Sequence, residues 1–341
     1  MIHTLARTMT KTFGTTTAAL PTPRRLRGMS TMAVERVVDV DTLIKRVTPV
    51  FLPTSQAASV VLPFLIPKEA KEHMAAQLPE QWQQDQEQRD HHQQQQPSSS
   101  SSMLLHDTST DRGMSTLLDT LDKYDHVAVT VEMGDHYMSE NMVQTEVPLP
   151  YFSAYLRLLE EEEEKMDEKA EVDEVAATPI VYLAQQTLGD AVVELQQHPM
   201  PLVLQVMGMA QQKRSKKEQT SLLFDVYSRV SWMGPSRTFS PFHVDPHYNC
   251  FEQHRGSKVF RLVSEEESKH LPRSEDVLQQ NTLAVDGGGG GATVLEVVVE
   301  EGDELFLPMR WMHEVRSLPE VGGGGRRNTS ISTTTWWRPS V

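Results

Sequence analysis

The sequence predicts a mostly β domain, a sandwich or barrel with flanking helices, interrupted by low-complexity inserts. Three observations lead there. Short apolar or alternating segments recur through the second half of the chain. Turn signals separate them. Biased tracts fall between candidate strands rather than inside them, where a surface loop tolerates insertion.

Residues 1–34 hold Arg7, Lys11, Arg24, Arg25 and Arg27 with no acidic residue, and are rich in Thr and Ser. That composition predicts a disordered leader of the mitochondrial or plastid transit type, with cytoplasm or nucleus as the location if Met29 or Met32 is the start. Residues 35–125 read as a helical and low-complexity N-terminal region. Within it, 35–75 predict a helix and then a short apolar segment, V-V-L-P-F-L-I-P, broken by Pro63 and Pro67. The Gln/His/Ser-rich stretch 79–102 cannot bury enough apolar surface to offset its ordering entropy. His91 and His92 within it could hold a metal only adventitiously.

Residues 126–341 form the predicted β domain. His126 to Glu132 alternates with period two and reads as a strand. Val147 to Leu159 reads as a helix led by Pro148. It runs into an acidic insert, 160–174, with ten carboxylates against two lysines, expected to be solvated. Strands follow at Pro179–Leu188 and Phe224–Trp232. Cys250–Gln253 and Lys258–Val263 read as a pair around Gly256. The last strands are Thr293–Val299, Glu304–Leu307, His313–Leu318 and Thr329–Trp337. Gly287–Gly291 and Gly322–Gly325 read as loop insertions.

Composition excludes several functions. The net charge of −15 argues against a phosphate-backbone binder, so no direct nucleic-acid contact is expected. No apolar run approaches the ~18 residues of a membrane span. The single cysteine, Cys250, excludes an internal disulfide and a Cys-rich zinc module.

The chemistry lies in S-P-F-H-V-D-P-H-Y-N-C-F-E-Q-H-R-G-S-K, residues 240–258. His243 and Asp245, two apart, leave the same face of an extended strand. Downstream, G-D-E-L-F-L-P-M-R-W-M-H places His313 at the end of a strand, after a Gly-Asp turn. Two histidines and a carboxylate make the facial triad of non-haem iron, which leaves coordination sites open. His243, Asp245 and His313 are therefore the candidate metal ligands and catalytic centre. His247 is not expected to join them, because Pro246 turns the chain. His254 and Cys250 are expected to be plain strand residues.

These segments resemble JmjC (cupin-like) 2-oxoglutarate oxygenases, and within them the small hydroxylase branch with jumonji-domain protein five. The similarity spans about Val127 to Trp337. It includes V-A-V-T-V-E-M-G-D-H-Y, V-Y-L-A-Q-Q-T-L, W-M-G-P-S-R-T-F-S-P-F-H-V-D-P-H-Y-N and the terminal W-W. The resemblance implies a double-stranded β-helix (jelly-roll or cupin) barrel holding Fe(II) and 2-oxoglutarate. It implies Lys258 as partner of the distal carboxylate of 2-oxoglutarate and Ser240 as a hydroxyl donor to the same group. Tyr182 and Asn249 are implied in the co-substrate pocket, with Trp232 and Trp336 on its walls. Thr334 departs from the pattern, standing where relatives often carry asparagine. The implied reaction hydroxylates a protein side chain of Arg, Lys or Asn type and yields succinate and CO2. Demethylation of an N-methyl group by the same chemistry is the alternative, and a non-catalytic metal-binding cupin-like module is a second. The implied partner is a protein or peptide, basic if steered by this acidic chain.

Overall fold

The computed structural model describes residues 30–48, 61–78, 104–134, 142–167, 180–196, 198–212, 224–271, 292–318 and 328–340. The chain opens with β1 (Ser30–Ala33), β2 (Glu35–Arg36) and helix α1 (Val40–Val47). Asp39 caps α1 by accepting from the Thr42 amide at 2.8 Å. β3 (Phe64–Ile66), α2 (Lys68–Ala76), a 3₁₀ turn (His106–Ser109) and α3 (Asp111–Leu121) follow. Next come β4 (Ala128–Met133), β5 (Val143–Pro148), α4 (Leu149–Asp167), β6 (Val181–Gln186) and α5 (Leu202–Gln212). The strands that follow are β7 (Phe224–Pro235), β8 (Phe239–Val244), β9 (Tyr248–Arg255), β10 (Ser257–Val263), β11 (Thr293–Val299), β12 (Glu304–Leu307), β13 (Met312–Leu318) and β14 (Thr329–Pro339), with a one-turn helix at Glu265–Ser268 between β10 and β11. No helix among the described residues is long and apolar enough to cross a membrane.

The strands form two sheets. One has the order β1-β11-β10-β13-β8, the other β2-β3-β12-β9-β14-β7-β6-β4-β5. From β7 to β14 the chain passes back and forth between them, with only β10 and β11 consecutive in one sheet. That winding is a jelly roll. Between the sheets Phe251, Phe260, Leu262, Leu305 and Leu307 close one end of the interior. Behind the larger sheet α1, α2 and α5 pack on Cys250, Phe306 and Trp337. α3 and α4 pack on β4 and β6.

Alternation along β9 sorts its side chains. Phe251 points between the sheets, whereas Tyr248 and Cys250 point to the helices. By period two, Asn249 and Gln253 share the inner face, and Glu252 and His254 the outer one.

Four expectations need correction. Cys250–Gln253 and Lys258–Val263 do not pair around Gly256, because β9 and β10 belong to different sheets. Gly256 is a corner, with φ +69°, where a Cβ would stand 2.8 Å from the Thr329 carbonyl oxygen. The helix expected from Val147 starts at Leu149, since Val147 and Pro148 finish β5, which pairs with β4 along its whole length. The 160–174 segment is helical as far as Asp167, and Glu160 is no solvated residue: it meets the fully buried guanidinium of Arg255. No sheet boundary falls at 125/126. β1 pairs in parallel with β11, and β3 pairs antiparallel with β12, because Val34, Phe64, Leu65 and Ile66 need burial the sheets provide. The leader as far as residue 29, the tract 79–102 and both polyglycine segments lie outside the described residues, apart from Ser30 to Val34.

Candidate metal centre

β8 and β13 lie side by side, and their register sets His243 directly opposite His313. The ring centroids are 4.2 Å apart. Past that pair, two steps along β13 match three along β8, bringing Ser240 opposite Val315. This bulge puts Ser240 on the same face as His243, which strict alternation would not do. Beyond it, the Ser317 amide donates to the Thr238 carbonyl at 3.0 Å. Asp245 sits just past the end of β8. Its carbonyl accepts from the amide of Arg310, a residue at φ +66°, which ties the two ligand-bearing segments together.

Each of His243, Asp245 and His313 offers one ligand atom, and these atoms lie within 4.8 Å of one another. His313 Nε2 stands 3.7 Å from Asp245 Oδ2. His243 Nδ1 is 2.7 Å from the Pro241 carbonyl and His313 Nδ1 is 3.0 Å from the Trp311 carbonyl. A carbonyl only accepts, so both Nδ1 atoms carry a proton, and Nε2 of each ring is the atom left to face a metal. Backbone hydrogen bonds that fix the tautomer and aim the other nitrogen are the support a metal ligand needs. Burial, and then the neighbouring His243, push His313 down to about 4, so it is neutral at pH 7. An oriented imidazole pair with one carboxylate suits a divalent iron.

On β10, four residues before Leu262, which pairs with His313, stands Lys258. Its residue is 2 % exposed. Nζ donates to Ser332 Oγ at 3.0 Å and to the Tyr182 hydroxyl at 3.3 Å, and lies over the Phe251 ring. No carboxylate pairs with it among the described residues, and burial pushes its pKa down to about 7. Tyr182 stacks on Trp232, and burial followed by the Glu132 charge pushes its hydroxyl upward. A buried cation surrounded by hydroxyls and lacking a counter-charge suits a carboxylate ligand.

The register of β14 against β9 places Trp336 opposite Asn249 and Thr334 opposite Phe251, all on the inner face. Asn249 Oδ1 and Trp336 Nε1 are buried with no hydrogen-bond partner among the described residues. Trp232 Nε1 donates to Thr334 Oγ1 at 3.0 Å, so the threonine orients a wall of the cavity. The structure thus brings Ser240, Tyr182, Asn249, Lys258, Trp232 and Trp336 to the interior that holds the His–Asp–His group.

Two polar residues of this interior escaped the sequence reading. Ser332 could have been found by counting back from Trp336 in steps of two. Thr238 bonds both Ser317 Oγ, at 2.7 Å, and Tyr182, but its inward direction depends on the β8 bulge, which no local pattern announces. His247 stacks on Tyr227. His254 is not a plain strand residue. It packs edge-on to His106 and His198, beside a second metal-capable group, His106, His198 and Glu252, on the far side of the sheet.

A family model described as a cupin-like domain matches residues 59–341. The lysine-specific demethylase JMJ30 of Arabidopsis thaliana is 32% identical over 123 residues, covering 33% of this chain and 26% of that protein. Lysine-specific demethylase 8 of Danio rerio is 34% identical over 116 residues, covering 31% and 26%. Jumonji C domain-containing protein 5 of Drosophila melanogaster is 25% identical over 219 residues, covering 62% and 47%. The chain therefore spans between about a quarter and a half of the length of these relatives. The match over most of the chain, on a jelly roll with JmjC relatives, places the protein in the cupin-like domain family.

Proposed function

We propose that this chain is an Fe(II)- and 2-oxoglutarate-dependent oxygenase that hydroxylates a protein side chain of the Arg, Lys or Asn type. The observation that supports it is the placing, between the same two sheets, of a convergent His–Asp–His group and a buried lysine that has no carboxylate partner among the described residues. His243, Asp245 and His313 would hold the metal through Nε2, a carboxylate oxygen and Nε2. Lys258, with the hydroxyls of Tyr182 and Ser332, would hold the distal carboxylate of 2-oxoglutarate by charge-assisted hydrogen bonds. Asn249 Oδ1 and Trp336 Nε1 would find partners in the bound groups. Trp232 and Trp336 exclude water from one wall. Iron and 2-oxoglutarate, with dioxygen as the oxidant, would supply the oxidation of a C–H bond: one oxygen atom goes to the substrate, the other to succinate, and CO2 leaves. A net charge of −15 favours encounter with a basic peptide.

The names of two relatives, lysine-specific demethylases, favour a second reading with the same chemistry. Hydroxylation of a methyl on nitrogen would release formaldehyde, whereas hydroxylation of a side-chain carbon would leave a stable product.

The test is to combine the full chain with Fe(II), 2-oxoglutarate, ascorbate and a pool of basic peptides. Succinate is expected, and His243→Ala should lower it by about 100-fold or more with the circular dichroism spectrum unchanged. Formaldehyde in step with succinate would select demethylation. A folded protein giving no succinate, coupled or uncoupled, would sink the proposal.

A further inference from the structure

We propose a second metal site, for a divalent ion of the zinc class, at His106, His198 and Glu252. It lies on the helix side of β9, across the sheet from the cavity described above. It does not rest on the oxygenase reading.

Three separate segments converge there. His106 comes from the 3₁₀ turn before α3, His198 from the connection into α5, and Glu252 from the outer face of β9. One ligand atom of each lies within 4.8 Å of the others. His106 and His198 face one another at 4.7 Å between centroids, and His254 stands edge-on to both. His198 is 5% exposed and Glu252 2%.

The hydrogen bonding among the described residues leaves this cluster under-satisfied. His198 Nε2 is 3.4 Å from Glu252 Oε2. That is long for a charge-assisted bond, which runs about 2.7–2.9 Å. It is also the edge of a tetrahedron, about 3.4 Å, when ligands sit about 2.1 Å from a central ion. His254 Nδ1, beside both histidines, is buried and has no partner among the described residues. Buried polar atoms are rarely left so, which points to a missing group within the cluster.

The donors suit the zinc class. Two imidazole nitrogens and one carboxylate oxygen, converging from three segments, are ligands that zinc takes readily. Burial opposes the charge on Glu252, but Lys71 and His198 outweigh it and hold the carboxyl well below its usual range. Lys71 occupies only Oε1, at 2.7 Å, which leaves Oε2 toward the histidines. Glu304, with its Oε2 3.8 Å from Lys71 Nζ, is a second carboxyl in the neighbourhood, whose pKa burial raises to about 7. Three protein ligands leave a fourth corner for water, and a water there gives His254 Nδ1 a donor within the cluster. The ion would pin the 3₁₀ turn, the entry to α5 and β9 together, a structural role of the kind zinc commonly plays.

The test uses the full chain carrying His243→Ala and Asp245→Ala, so the first site is removed. After stripping with a chelator, the protein is titrated with Zn(II) and, separately, Co(II). About one equivalent should bind, with the strong visible absorption of four-coordinate Co(II), and the melting temperature should rise. Adding His198→Asn should weaken binding by about 100-fold or more. His106→Asn should do the same, and because His106 is half-buried it is the variant of choice if His198→Asn does not fold. A folded double variant that binds neither ion overturns the site. So does binding that survives both asparagine changes, which would belong elsewhere, such as His91 and His92.

Discussion

Lys258 shows what one residue costs and provides. Its folded pKa, about 7, lies below the ordinary 10.5. The penalty of burying the ammonium is therefore fully present below pH 7 and disappears as pH rises from about 7 to about 10.5, so this group makes the ligand-free protein more stable with rising pH across that window. Lys258→Met should stabilise the ligand-free protein at pH 7, by an amount on the order of 4 kcal/mol, read from denaturant midpoints. The same change should abolish 2-oxoglutarate binding. In the unmutated chain, 2-oxoglutarate affinity should fall about tenfold per pH unit above pH 7, because binding must then restore the proton to Lys258. Calorimetry in buffers of different ionisation enthalpy measures that uptake. Affinity that is flat from pH 6 to 9 would contradict this account of Lys258.

At the scale of elements, α5 depends on β12. Glu304 is fully buried, and its two carboxylate oxygens accept from the amides of Leu202 and Val203 at 2.8 and 3.0 Å. Those are orphan donors at a helix start, which the carboxyl satisfies in pairs. Glu304→Ala should cost about 2–4 kcal/mol, with hydrogen exchange rising first in Leu202–Gln212. Unchanged protection in that helix would show that the cap is dispensable. The corner at Gly256 is a second such dependence. Gly256→Ala meets both a positive φ and the Thr329 carbonyl, a backbone atom that cannot swing away. A loss of about 2–4 kcal/mol is expected from thermal unfolding. Element by element, the strands at Glu304–Leu307 and Thr293–Val299 were legible because alternation or a dense apolar run is a local signal. β5 was not, because V-Q-T-E-V-P carries little apolar surface and becomes a strand through its pairing with β4.

The whole molecule is joined through Arg255. The guanidinium, 0% exposed, donates to Glu160 on α4, to the Thr108 carbonyl at 2.8 Å and to Thr329 Oγ1 at 2.9 Å on β14. It binds the helical layer to the larger sheet from the last residue of β9, next to the Gly256 corner. Arg255→Ala would strand the Glu160 carboxylate and leave a cavity, and should cost about 3–5 kcal/mol. Arg255→Lys should recover only part of that, since one ammonium cannot reach three partners in a plane. Full recovery by lysine would show that charge alone, without the guanidinium fork, is enough.

The sequence alone determined the β character of the second half and the metal-capable residue types. His243, Asp245 and His313 stood out because ligand chemistry is a property of side chains, and their spacing to Lys258 fits one family pattern. Only the tertiary structure decided which faces meet. The β8 bulge turned Thr238 and Ser240 inward, the Gly256 corner sent β10 to the opposite sheet, and the packing of a 3₁₀ turn against β9 gathered His106, His198 and Glu252. Register and sheet assignment arise from pairing between segments far apart in the chain, and no local pattern of residues encodes them.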